Sequence, residues 1–168
     1  MKIKTLFISI LFASTYSLSL AEDKKSESKL LSKNISFTLQ KYLLFPLEQK
    51  SEWGQMRIIY FQGLQTYTNF DYVEKEKDWC SIRVKLNQKT SVIVEEKTIF
   101  KPIDYSIHKN NEKFAIHNFN FVDLTKVGRQ RYDEKYVPYS INCSIGADKK
   151  LAEDLFHKIT NNYFKIGH

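Results

Sequence analysis

The sequence predicts a mainly β fold at the margin of α+β, an antiparallel sandwich or partly open barrel of six to eight strands. Short runs in which polar and apolar residues alternate recur along the chain, and turn-forming residues separate them at near-regular spacing. The hydrophobic period changes to that of a helix only after Lys149. We therefore expect one C-terminal amphipathic helix packed on the sheets.

The first 21 residues have the pattern of a cleavable signal peptide. Lys2 and Lys4 precede an apolar stretch over residues 6–20, and Ser19-Leu20-Ala21 offers the small residues that a signal peptidase recognises. The stretch is short for a membrane span and is diluted by Ser and Thr, which favours cleavage after Ala21 over an anchor. No later apolar run is long enough to cross a bilayer, so the mature chain is expected in the periplasm or outside the cell.

The mature chain is expected to form one domain with a mild positive charge. The 168 residues carry a formal charge of +7, and loss of the signal peptide lowers it to about +5. That excess favours loose contact with anionic envelope surfaces but, without a recognition motif, does not indicate nucleic-acid binding. Residues 22–33 are dense in charge and Ser and predict a flexible N-terminal arm. Residues 34–168 form the predicted β-rich domain.

A strand predicted over Asp78–Leu86 is central to this domain. Alternation gives it one face with Cys80, Ile82, Val84 and Leu86 and another with Trp79, Ser81, Arg83 and Lys85. The second cysteine, Cys143, lies in a run whose alternate residues are Val137, Tyr139, Ile141, Cys143 and Ile145. Since export leads to an oxidising compartment, we expect a Cys80–Cys143 disulfide across the core. Two buried free thiols are the alternative.

Other extended runs surround this strand, at residues 34–40, 42–45, 56–62, 64–73, 91–95, 99–108, 114–122 and 136–145. The apolar run at residues 56–62 predicts a central strand, and the runs at 99–108 and 114–122 predict a hairpin. The parity of the second hairpin arm changes, which indicates either a bulge near His117 or a central strand covered on both faces. Pro138 indicates an edge position or a late start for the last run.

The predicted helix begins after Asp148, whose carboxylate is suited to capping the first turn. Its apolar face contains Leu151, Ala152, Leu155, Phe156, Ile159 and Tyr163. Gly167 stands where a C-terminal cap is expected.

The sequence contains no pattern that predicts catalysis or a cofactor. It lacks a G-x-S-x-G motif, and pairing of the two cysteines would leave no free thiol nucleophile. His108 and His117 could face each other across the hairpin and bind zinc with Asp104, but two ordinary surface histidines are the simpler interpretation. Neither a metal nor a catalytic residue is therefore predicted.

Two features suggest binding. Four cations lie within ten residues, at Lys126, Arg129, Arg131 and Lys135, and predict a loop that binds anionic groups with Tyr132 as a stacking partner. A solvated loop is the alternative for this segment. Trp79 is the second feature: if exposed, it would form an aromatic contact with a partner, and if covered it would only pack.

These observations favour a small exported protein, non-catalytic, that binds a macromolecular envelope partner or an anionic surface. One alternative is a hydrolase of envelope polymers whose carboxylates converge only in the fold. Another is a carrier of a small apolar ligand. Neither nucleic acid nor a membrane span in the mature chain is expected.

The exported protein should have an intact mass lower than that of the full chain by residues 1–21 and by two hydrogens, because cleavage and disulfide formation both accompany export. Mass spectrometry of the purified native protein measures this directly. Two thiols that react with an alkylating agent under native conditions would contradict the disulfide.

Overall fold

The computed structural model describes residues 29–32, 34–47, 55–87, 89–122 and 135–168. The predicted signal peptide and most of the predicted arm lie outside these ranges. The described chain consists of antiparallel sheets packed together, with one α-helix and no closed barrel, which confirms the predicted fold class.

Eleven strands and one helix are present among the described residues. The strands are β1 (Ser36–Leu39), β2 (Leu43–Phe45), β3 (Met56–Gln62), β4 (Gln65–Tyr67), β5 (Trp79–Leu86), β6 (Val92–Val94), β7 (Ile99–Phe100), β8 (Asp104–Lys109), β9 (Phe114–Asn120), β10 (Tyr136–Gly146) and β11 (Phe164–Gly167). The helix α1 spans Glu153–Ile159, and a 3-10 turn spans Phe70–Tyr72. The strand number exceeds the expected six to eight because several strands are only two to four residues long.

The strands form one large sheet and two small ones. The large sheet has six strands in the order β4-β3-β5-β10-β9-β8, and every pairing in it is antiparallel. A three-stranded sheet has the order β11-β1-β7, and β2 pairs with β6. The run at residues 56–62 is an interior strand of the large sheet, and β8 and β9 form the predicted hairpin.

Cys80 and Cys143 form a disulfide between β5 and β10. The two residues are direct cross-strand partners, with Cα atoms 4.0 Å apart. The bond therefore joins neighbouring strands of one sheet. The sequence had suggested a bond across the core, and that part of the prediction is wrong. The predicted inward face of β5 is confirmed, since Cys80, Ile82 and Val84 are fully buried.

The core lies between the large sheet and the two smaller sheets, and Phe37 of β1 is at its centre. Its ring lies 5.1 Å from that of Phe119 in the large sheet and 5.2 Å from that of Phe156 in α1. Phe164 of β11 also contacts it edge-on. Burial of such aromatic side chains provides most of the hydrophobic stabilisation of a small domain, so Phe37 joins three elements that are distant in sequence.

The C-terminal helix is shorter than predicted, because the chain reverses after Ile159. Asn161 and Asn162 adopt φ angles of 47° and 54°, in the left-handed region that Asn tolerates better than most residues. The following residues form β11, which pairs with β1 along its whole length. Gly167 is thus part of a strand, and the N-cap is Ala152, which makes no side-chain cap. Asp148 does not cap the helix.

Pro138 lies in an interior strand of the large sheet, but in the part of β10 that pairs with β5 alone, because the described pairing with β9 begins at Ser140. β10 pairs with β5 on one side and with β9 on the other, and its register against β5 shifts between Pro138 and Ser140. This bulge accommodates a residue that has no N–H to donate. The bulge also exchanges the two faces of the strand on either side of it. Val137 pairs with Lys85 and therefore lies on the opposite face from Cys143, whereas the sequence had suggested that the two share a face.

No bulge interrupts β9. Its pairing with β10 runs without a shift from Phe114 to Asn120, and β8 pairs on its other side. The change of apolar parity near His117 therefore reflects a central strand with residues on both faces, which was the second of the two predicted possibilities.

The packed part of the chain begins before Asn34. Leu31 is buried in the core, and its N–H donates to the carbonyl oxygen of Leu151 at 3.0 Å. Leu30 forms an isolated bridge with Ala152. The described end of the predicted arm is thus attached to the start of α1. Among the described residues, no helix has the length and hydrophobicity that a membrane crossing needs.

Replacing Cys80 and Cys143 together with Ala should lower the free energy of unfolding by about 4 kcal/mol, because the bond closes a loop of roughly 60 residues in the unfolded chain. Urea titration of the oxidised wild type and the double variant measures this difference. The reduced wild type is the matched control, and it should lose a similar amount. A difference below about 1 kcal/mol would show that the bond contributes little.

Candidate binding face

The large sheet has one face in the core and one facing outward, which we call the outer face. The pairing of the five longer strands places the following residues on it: Ile58 and Tyr60, Trp79, Ser81, Arg83 and Lys85, Ser140, Asn142 and Ser144, Ile116, Asn118 and Asn120, and Asp104, Ser106 and His108. The part built from β3 and the start of β5 is aromatic. The part built from β10, β9 and β8 is rich in amides and hydroxyls.

The aromatic part is a packed cluster of Tyr60, Phe70 and Trp79. The Trp79 ring lies 5.8 Å from the Tyr60 ring and 5.4 Å from the Phe70 ring, both edge-on. Trp79 keeps only 9 % of its surface exposed. The hypothesis of an exposed Trp79 is therefore corrected: the cover comes from Phe70 in the 3-10 turn and not from the C-terminal helix.

Next to this cluster, Arg83, Asn142 and Asn118 form a chain of hydrogen bonds. The amide of Asn142 is assigned from its hydrogen-bonding surroundings, with its oxygen facing Arg83. Nε and Nη2 of Arg83 then donate to Asn142 Oδ1 at 3.1 and 3.3 Å. The amide nitrogen of Asn142 donates to Asn118 Oδ1 and to the carbonyl oxygen of Ile141. The guanidinium is thus held in place by an amide that is itself held on two sides.

Arg83 is a largely desolvated cation without a carboxylate partner among the described residues. Burial lowers the pKa of its guanidinium, and the hydroxyls of Tyr60 and Tyr139 raise it again in part. No described Asp or Glu lies within ion-pair distance of it. Removing a cation from water without an opposite charge costs free energy, so Arg83 is an unusual feature of this face.

Ser81, two residues before Arg83 on the same face, has a buried hydroxyl without a partner. The residue is fully buried, and no described group forms a hydrogen bond with its Oγ. Tyr60 and Asn142 flank it on the neighbouring strands. Most buried polar side-chain atoms in proteins have a hydrogen-bond partner, so this part of the outer face holds more donors than the described protein groups use.

A groove of about 650 Å³ lies at the end of the outer face where β5 begins. Three aromatic residues line it, namely Phe70, Trp79 and Phe114. The rest of its lining is polar and of both charges: Lys75, Glu76, Asn110, Asn111, Glu112, Lys113 and Ser144. An aromatic floor with a polar rim is typical of a recognition site.

Two carboxylates, Glu76 and Glu112, line this groove together. They come from the segment before β5 and from the β8–β9 turn, so only the fold brings them to one site. The hydrolase hypothesis requires two carboxyls in one cleft, and this groove contains two. The alternative of a carrier for a small apolar ligand stays a prediction.

Most of the predicted anion-binding loop lies outside the described residues, which applies to Lys126, Arg129, Arg131 and Tyr132. Lys135 is described and exposed, and it directly precedes β10. Its carbonyl oxygen accepts a hydrogen bond from the N–H of Asn87 at 3.1 Å. The predicted role of this loop stays a prediction.

His108 and His117 lie on opposite faces of the large sheet. In the β8–β9 pairing, His108 is opposite Ile116 and His117 is opposite Ile107. These are consecutive pairs along the strands, and consecutive pairs point to opposite faces of a sheet. One metal ion therefore cannot bind both, and the zinc site considered with Asp104 is corrected. No group of three or more metal-binding side chains is present among the described residues.

Sequence reasoning missed the residues that define this face. Arg83 was placed outward but given no role, and Asn118 and Asn142 were not considered as a pair. One signal was available: Ser140, Asn142 and Ser144 alternate along an otherwise apolar strand. Phe70 and Phe114 gave no such signal, because they reach the groove from segments that are distant in sequence.

Comparison of the chain with protein-family models, curated proteins and solved structures finds no match.

His117 should make the protein less stable in acid. Burial lowers its pKa, and its Nδ1 forms a hydrogen bond with the Tyr105 hydroxyl, whose oxygen lies 2.7 Å away. Below about pH 6.5 the unfolded chain therefore binds a proton that the folded chain does not. The stability contribution is full above that pH and is lost as the pH falls through the folded pKa.

The measurement is urea unfolding between about pH 7 and pH 5. His117→Gln should show a flatter decline of stability in this range than the wild type. His108→Gln is the matched control, because His108 is exposed on the neighbouring strand, and its decline should match the wild type. Equal declines in all three proteins would contradict the assignment.

Proposed function

We propose that this chain is an exported, non-catalytic binding protein of the cell envelope, and that it binds a macromolecular partner through the groove on its outer face. The observation that carries the proposal is the lining of the groove, where Phe70, Trp79 and Phe114 lie beside cationic and anionic side chains. A few aromatic anchors seated in pockets carry most of the affinity in many protein interfaces.

The position of the groove supports recognition of an extended surface. It is formed by the β8–β9 turn, the segment before β5 and the end of β10, so its walls are loops fixed to a rigid sheet. Binding residues are common on loops that a rigid scaffold positions. Lys75 and Lys113 supply positive charge, and Glu76 and Glu112 supply negative charge, which would select a partner by charge pattern as well as by shape.

Export is supported by two independent features. Residues 1–21 have the composition of a signal peptide, and the only two cysteines of the chain form a disulfide. Structural disulfides persist mainly in oxidising compartments. The periplasm or the extracellular space is therefore the proposed location.

The proposal is tested by replacing Glu112 with a photoreactive amino acid in cells that export the protein. Illumination should yield an adduct of one defined mass, because Glu112 lines the groove. The same replacement at Lys165, which is exposed on β11 of the three-stranded sheet, is the positional control and should give no such adduct.

A second pair of variants tests dependence on the groove. Phe114→Ala should remove the adduct at position 112 because it deletes an aromatic wall, whereas Leu64→Ala, at an exposed site that does not line the groove, should preserve it. An equal adduct from position 165, or an adduct that survives Phe114→Ala, would contradict the proposal.

The presence of Glu76 and Glu112 in one groove favours the hydrolase as the second candidate. Under that proposal, one carboxyl acts as general acid and the other as base or nucleophile on a glycosidic bond. Release of soluble fragments from purified envelope polymers measures the activity. Glu76→Gln and Glu112→Gln should each abolish it, whereas Glu96→Gln, outside the groove, should not. Absence of release by the wild type would exclude this candidate.

A further inference from the structure

We propose that the outer face contains an oxyanion-binding site centred on Arg83, which takes a carboxylate or phosphate group. The inference deepens the proposed function, on which it rests for the identity of the molecule that carries the anion. The site is distinct from the groove, since Arg83 does not line the latter.

The first argument is the unused donor capacity of Arg83. A guanidinium has five N–H donors, and the two hydrogen bonds to Asn142 occupy Nε and one N–H of Nη2. The other three N–H groups have no acceptor among the described residues. Guanidinium groups bind carboxylate and phosphate through pairs of such donors.

The second argument is the buried hydroxyl of Ser81. It projects from the same face of β5, two residues from Arg83, and lacks any hydrogen-bond partner among the described groups. The missing partner of this hydroxyl is an observation separate from the charge and the donors of Arg83. Together, the two side chains give this face of β5 four donors without acceptors among the described residues.

The third argument is the absence of a competing anion near Arg83 within the described ranges. Among the strand residues of the outer face, the carboxylate is Asp104, at the far end of the row that runs from Arg83 through Ser140 and Asn120. Glu76 and Glu112 line the groove and form no ion pair with Arg83. Three strand spacings separate the two, about 14 Å, and Asn120 Nδ2 donates to Asp104 Oδ2 at 3.4 Å. Asp104 therefore does not neutralise Arg83.

The fourth argument is preorganisation. Asn142 fixes the orientation of the guanidinium, and Asn118 and the Ile141 carbonyl fix Asn142. β5 and β10, which carry Arg83 and Asn142, are interior strands joined by the disulfide. A ligand anion would therefore meet donors that need little ordering, which lowers the entropic cost of binding.

The test is an NMR titration of the full exported protein with sodium phosphate and, separately, with sodium acetate, at ionic strength held constant with sodium chloride. The Nε–H signal of Arg83 and the amide signals of Asn142 and Asn118 should shift and saturate. Tighter binding of acetate would identify a carboxylate as the preferred group, and tighter binding of phosphate a phosphoryl group.

Three variants make the test specific. Arg83→Gln should weaken the binding at least tenfold, because it removes the charge and the paired donors. Arg83→Lys keeps the charge but lacks the planar guanidinium, so its affinity should lie between those of the wild type and Arg83→Gln. An intermediate affinity also shows that the loss in Arg83→Gln is not caused by a folding defect. Lys85→Gln, on the same strand and face, is the matched control and should bind within about twofold of the wild type.

Shifts that stay linear in both salts, or that persist unchanged in Arg83→Gln, would overturn the site. The titration uses purified protein and no partner, so its failure differs from a failure of the cross-linking experiment. A missing adduct with intact anion binding overturns only the proposed partner contact. An adduct with no anion binding overturns only the Arg83 site.

Discussion

The fixed register between β5 and β10 is the constraint on which the rest of the structure depends. Side chains alternate between the faces of a sheet, so a slip of one residue would exchange the inner and outer faces of a strand. The Cys80–Cys143 bond joins two residues that are direct partners, and therefore excludes such a slip between the two middle strands. Every strand outside them takes its register from this pair, through β3 on one side and β9 on the other.

That register separates the two roles of the large sheet. The inner face packs against Phe37 and α1 and stabilises the domain, whereas the outer face carries amides, hydroxyls and one desolvated cation. Polar side chains such as Ser140 and Asn142 are buried there. A polar surface built on interior strands is rigid, and a rigid surface can recognise a ligand without much ordering. The aromatic groove at the end of the same face extends this surface.

The sequence predicts those parts of the fold that depend on local alternation. The inward face of β5 and the β8–β9 hairpin follow from it. The interior position of β3 follows from its continuous apolar run, and the cysteine pairing from the presence of two cysteines in the sequence. It does not predict β11, because residues 164–167 are too short to show a period and become a strand only by pairing with β1. The parity change at Pro138 depends on a bulge, which alternation cannot show. The Arg83 site escapes prediction for a similar reason: its character depends on which partners are missing in space.

The pairing of β1 with β11 has a consequence for how the chain folds. In the three-stranded sheet, the central strand β1 is the first described strand in the sequence, and the edge strand β11 is the last. This sheet therefore cannot be completed until residues 164–167 are available. During synthesis, which begins at the N-terminus, the apolar side of β1 stays uncovered until β11 has been made. Contacts of such large sequence separation make folding slow. The protein is therefore expected to complete its three-stranded sheet late in folding, after β11 has become available to pair with β1.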